Sequence, residues 1–98
     1  MTLREQQSKF VQMVGKLIEF AYQEGYELTF GDAYATTGHA ENSFHYKRLA
    51  VDFNLFMDGK FLEGTEAHLL LGKYWESLGG TWGGRFKKPD GNHYSLGE

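Results

Sequence analysis

The sequence predicts an α+β domain in which two main helices pack against a small antiparallel sheet. Three observations carry this expectation. Two stretches repeat apolar residues at spacings of three and four, two others alternate apolar with polar residues, and glycine-containing or polar breaks separate them.

The first helical stretch runs from Thr2 to Tyr22, with Phe10, Met13, Val14, Leu17, Ile18 and Ala21 on one face. Thr2 and Glu5 fit a capping box at its start, and Glu24-Gly25 supplies its stop. Tyr26, Leu28 and Phe30 then alternate with Glu27 and Thr29, the period of a strand with one buried face, which Gly31 to Ala35 can extend. Thr36 to Ser43 is polar, lacks periodicity and reads as a loop.

A second alternating run covers Ala50 to Phe56, with Val51, Phe53 and Leu55 on one side and Asp52 and Asn54 on the other. Asp58-Gly59 ends it in a turn. Thr65 precedes the second helix, Ala67 to Leu78, whose apolar face is Leu70, Leu71, Tyr74, Trp75 and Leu78; Gly79-Gly80 terminates it. Trp82 to Gly91 reads as a loop, and a short final strand follows through His93 to Leu96.

With 98 residues and no composition shift, one domain spanning 1–98 is expected. A core this small often needs a supplementary staple, and with no cysteine present a disulfide is excluded, so a metal becomes the more interesting candidate. Ten basic against thirteen acidic residues argue against nucleic acid as a partner. The polar start, Met1 to Lys9, predicts neither a signal peptide nor membrane insertion, so synthesis in a cytoplasm is expected.

Two of the four histidines keep unusual company. His45 precedes Asp52 by seven residues, a spacing suited to a loop entering a strand and not to two ligands on one helix. Asp52 is flanked by Val51 and Phe53, and a carboxylate in such company calls for a compensating partner. His93 opens the final strand. Two histidines and a carboxylate would leave one tetrahedral position of zinc open, the arrangement of a catalytic site. Asp90, three residues before His93 in an Asp-Gly turn, can reach such a site without ligating the metal and act as general base.

The string Ser43-x-His45-x-x-x-x-Ala50-x-Asp52 resembles the S-x-H-x-x-G-x-A-x-D motif of the zinc D-alanyl-D-alanine carboxypeptidases, D,D-dipeptidases and phage L-alanyl-D-glutamate endopeptidases. Asp90-x-x-His93 is similar to the second motif of the same family. Ala50 to Phe56 and Gly79 to Gly84 resemble its small phage members, and the likeness runs from about Gly31 to Leu96.

The resemblance implies a hedgehog or D,D-peptidase-like zinc fold, one zinc ion held by His45, Asp52 and His93, and Asp90 as base. It also implies a substrate-binding hydroxyl at Ser43. The implied activity is hydrolysis of peptidoglycan stem peptides by a monomeric phage endolysin, at the L-Ala-D-Glu or D-Ala-D-Ala bond. Such an enzyme would act on the cell wall, in the periplasm, with a holin or similar protein giving access.

Two positions depart from the motif. Arg48 stands where the family commonly has glycine, and the stretch Gly31 to Thr36 has alanine where many members carry a substrate-binding arginine. Arg48 or Arg85 is the candidate replacement. Trp82 and Tyr94 are either walls of a peptide groove or core residues. His39 reads as an exposed loop residue, and His68 as a solvated or helix-packing one.

Two alternatives to an enzyme stay open. One is a zinc-stabilised module that binds cell-wall peptide without cutting it, and the other is a metal-free structural domain.

Overall fold

The computed structural model describes residues 1–32 and 43–97. Helix α1, Leu3–Gln23, begins at the anticipated capping box: the Thr2 hydroxyl accepts from the Glu5 N–H, and the Glu5 carboxylate accepts from the Thr2 N–H. Phe10, Met13, Leu17 and Ala21 form its buried face. Strand β1 is Glu27–Phe30 and β2 is Ala50–Met57; they pair antiparallel, with Glu27 opposite Phe56 and Phe30 opposite Phe53. As an edge strand β1 buries little, and Phe30 is largely exposed. Of the suggested extension, Gly31 and Asp32 lie past the end of β1, and positions 33–42, which include His39, lie outside the described residues.

Asp58 and Gly59 both take positive φ, 52° and 77°, the signature of a tight hairpin turn. That turn leads into β3, Lys60–Phe61, which pairs with the end of β2. A 3-10 turn at Thr65–His68 precedes helix α2, Leu69–Ser77. This turn shifts the phase of the helix: Leu71, Gly72 and Trp75 are buried, whereas Leu70, expected on the apolar face, is exposed. Strand β4, Thr81–Trp82, occupies part of the stretch read as loop and pairs with β5, His93–Ser95.

The sheet order is β1-β2-β5-β4, with β3 also on β2. Because β1 takes one edge of β2, β5 and β3 share the other, β5 at Ala50–Asp52 and β3 at Phe56–Met57. Val51, Phe53, Leu55 and Tyr94 meet both helices in a single cluster. Trp75 is its centre, edge-on to Phe10 at 5.8 Å and to Tyr94 at 6.0 Å, with its indole N–H donating to the Ser95 carbonyl at 2.8 Å. These contacts hold β5 between α2 and β2. The α+β expectation is met.

Candidate metal centre

Alternation along β2 sends Val51, Phe53 and Leu55 into the core and Asp52 to the opposite face. Antiparallel register then sets His93 directly across from Asp52. The third residue, His45, sits on a 3-10 turn, Phe44–Lys47, just before β2. Ser43 caps that turn by accepting from the His45 N–H at 3.3 Å. Arg48 ends it in the left-handed conformation, φ 58° and ψ 37°, which explains why glycine suits this motif position.

The three side chains converge. His45 Nε2 lies 3.1 Å from Asp52 Oδ1 and 3.2 Å from His93 Nδ1, and the third edge of the triangle, His93 Nδ1 to Asp52 Oδ1, is 3.5 Å. Both imidazoles are buried, and Asp52 is half-buried. A single N–H on His45 Nε2 points in one direction and cannot serve both neighbours with good geometry. A cation serves all three donors at once. Tetrahedral ligands at zinc distances stand about 3.3 Å apart, so the observed edges fit such an ion. The residues can therefore hold a metal ion.

The backbone around the triangle is tied down on both sides. The Gly31 N–H donates to the Asp52 carbonyl at 2.8 Å, and the Asp52 N–H donates to the Asp32 carbonyl. Asp90 occupies an exposed turn whose carbonyl accepts from the His93 N–H at 3.1 Å. Gly83 clamps that turn, its carbonyl accepting from the Asp90 N–H at 2.9 Å. A β-carbon at Gly83 would fall 2.2 Å from the Asp90 carbonyl oxygen and 2.8 Å from His93 Cβ, so only glycine fits. Sequence reasoning missed Gly31, Asp32 and Gly83 as supports; the glycine-rich run before Asp90 was the available signal for Gly83.

The expected substrate residues are placed variously. The Ser43 hydroxyl accepts from the His45 backbone N–H. Arg48 is exposed at the turn. Arg85 makes a paired contact with Glu76, 3.1 and 3.2 Å, and lies over the Trp82 ring; the Glu76 carboxylate pushes the guanidinium pKa up. Trp82 is 2% exposed, and its indole N–H donates to the Gly91 carbonyl at 2.7 Å, bracing the Asp90 turn from the core.

A family model described as D-alanyl-D-alanine carboxypeptidase matches residues 36–96, more than half of the chain. The chain belongs to this family. The matched span contains the whole donor triangle together with Asp90. In the D-alanyl-D-alanine carboxypeptidase family, then, this chain is a peptidase, and three of its motif residues, His45, Asp52 and His93, stand close enough together to hold a metal ion. No curated protein matches it.

Proposed function

We propose that the chain is a zinc metallopeptidase that hydrolyses peptidoglycan stem peptides, at the L-Ala-D-Glu or D-Ala-D-Ala bond, and serves a bacteriophage as an endolysin. The observation that carries this reading is the donor triangle of His45, Asp52 and His93 beside an acidic turn. His45, Asp52 and His93 would hold one zinc ion per chain, which would supply Lewis acidity toward a peptide carbonyl and toward water.

Hydrolysis adds water across the scissile C–N bond. The Asp90 carboxylate accepts the water proton as the new C–O bond forms, and returns it to the leaving nitrogen as the C–N bond breaks. Of the two candidate cations, Arg85 pairs with Glu76 and Arg48 stands three residues from His45; its nearness to the triangle in sequence makes Arg48 the better candidate to face the substrate. The protein acts as a monomer on the wall, reaching the periplasm with a holin or similar partner and without inserting in the membrane. No described helix is long and apolar enough to cross one.

The deciding experiment combines metal analysis with mass spectrometry of peptidoglycan treated with the protein. Asp90→Asn should keep its zinc and lose about 10²–10⁴-fold in turnover. Zinc-loaded protein that releases no new amines, where a known lysin does so in parallel, overturns the reading in favour of a binding module.

A further inference from the structure

Between β3 and β5 the shared edge of β2 opens into a cavity of about 320 Å³. Asp90 forms part of its wall, whereas none of the three donor residues does, so it stands beside the triangle and not over it. Its lining is divided by chemistry. Phe61, Leu62 and Pro89 supply apolar surface, and Glu63, Asp90 and His68 supply polar groups. Both charged residues in the lining are acidic, and Glu63 has no ion pair among the described residues.

His68 is the unusual member. It is 4% exposed, and its Nδ1 lies 2.7 Å from the Tyr94 hydroxyl, which fixes the ring. No group among the described residues pairs with the other ring nitrogen, Nε2, although the residue lines the cavity. The buried Tyr94 hydroxyl has Nδ1 as its hydrogen-bond partner and donates to it, so the ring proton sits on Nε2, which keeps access to the cavity and can donate to a carbonyl or carboxylate oxygen of an occupant. Burial also pulls the His68 pKa down to about 4, so the ring is neutral near pH 7 and adds no positive charge to the wall.

We propose that this cavity is a subsite for an amine-bearing side chain of the peptide substrate, its methylene stem on Phe61, Leu62 and Pro89, its ammonium group held by Glu63, and a carbonyl oxygen of the peptide taking the His68 Nε2–H. An apolar flank leading to an acidic end is the complement of a diamino-acid side chain. With Asp90 in the same wall, the occupied subsite would place the peptide beside the general base. The identity of the peptide rests on the proposed function; the preference for an amine rests on the cavity alone.

The test uses the zinc-loaded protein and two synthetic peptides, L-Ala-D-Glu-L-Lys and its Nε-acetylated form, with calorimetric binding and mass-spectrometric cleavage read on the same samples. The free amine should bind up to about fivefold tighter. Glu63→Gln should abolish that difference by weakening only the free-amine peptide. His68→Asn, which keeps a polar atom near Tyr94 and deletes Nε2, should weaken both peptides alike. Equal binding of the two peptides, no binding of either, or equal weakening of both by Glu63→Gln overturns the subsite. Cleavage without amine preference overturns the subsite and leaves the peptidase reading intact; amine preference without cleavage does the reverse.

Discussion

Asp52 and His93 occupy directly opposed positions of the β2–β5 ladder, and their donor atoms stand 3.5 Å apart, with His45 Nε2 within 3.2 Å of both. Removing any one of the three leaves two donors and an incomplete shell. Asp52→Ala, His45→Ala and His93→Ala should each lower zinc affinity beyond the roughly 10–100-fold loss typical of a supporting residue. Metal content after dialysis against a zinc buffer checks this, and full occupancy in any one variant would remove that residue from the ligand set.

Stripping the metal should also destabilise the fold. An ion bound to the native state at about 1,000 times its dissociation constant contributes about 4 kcal/mol. In a domain of this size that corresponds to a fall in Tm of at least about 10 °C on chelation, reversed by added zinc. Unchanged melting would favour a structural domain without metal.

Arg48 holds φ 58° at the end of the turn that carries His45. A non-glycine residue there costs about 1–2 kcal/mol, offset in part by the lower unfolded-state entropy of arginine. Arg48→Gly should therefore stabilise the protein by about 1 kcal/mol in urea unfolding. If Arg48 serves the substrate, the same variant will be more stable and less active.

Gly83→Ala tests the clamp on the Asp90 turn. The added methyl collides with the Asp90 carbonyl and His93 Cβ, so a loss of about 1–3 kcal/mol is expected, together with lower turnover. Alanine at the exposed Gly15, where a β-carbon meets nothing within 4 Å, is the control and should not destabilise.

His68 gives stability a pH dependence with a definite sign. Its folded pKa, about 4, lies below the ordinary 6.5, so the unfolded chain takes up the proton first. The stability associated with the neutral ring is present above pH 6.5 and is lost as pH falls through 4. The loss is no more than about 3 kcal/mol. Urea unfolding should weaken between pH 7 and pH 4 more steeply in the wild type than in His68→Asn, and an NMR titration should find the imidazole still neutral at pH 5.

Much of this architecture was legible in the sequence, for physical reasons specific to each element. Helix α1 and strand β2 declared themselves because several turns or several alternations establish a period. Strands β3 and β4 have two residues each, too few for any period, and β4 exists only because β5 lies beside it. His68 beside Leu69 and Leu70 could be solvated or packed against the helix, and the 3-10 turn decides for packing by rotating the leucines outward and the histidine in. Trp82 could be a groove wall or a core residue; glycines at 72 and 84, whose β-carbons would strike its ring, make the room that buries it in the core.

The triangle was readable through its motif, but one argument for it changes. Val51 and Phe53 flank Asp52 in sequence and face the other way in space, so simple alternation accounts for them. The demand for a cation comes from His45 and His93 converging on the same carboxylate. That convergence depends on strand register, which no local pattern discloses.

The pairing of β5 with β2 has a kinetic consequence. The donors at 45 and 93 are separated by 48 positions, and the strand bearing the second is pinned through Trp75 to helix α2. Peeling β5 away would dismantle the triangle and unseat the Asp90 turn together. An ion held there would be slow to exchange by that route, because its departure would have to wait for a local unfolding event that the buried tryptophan opposes.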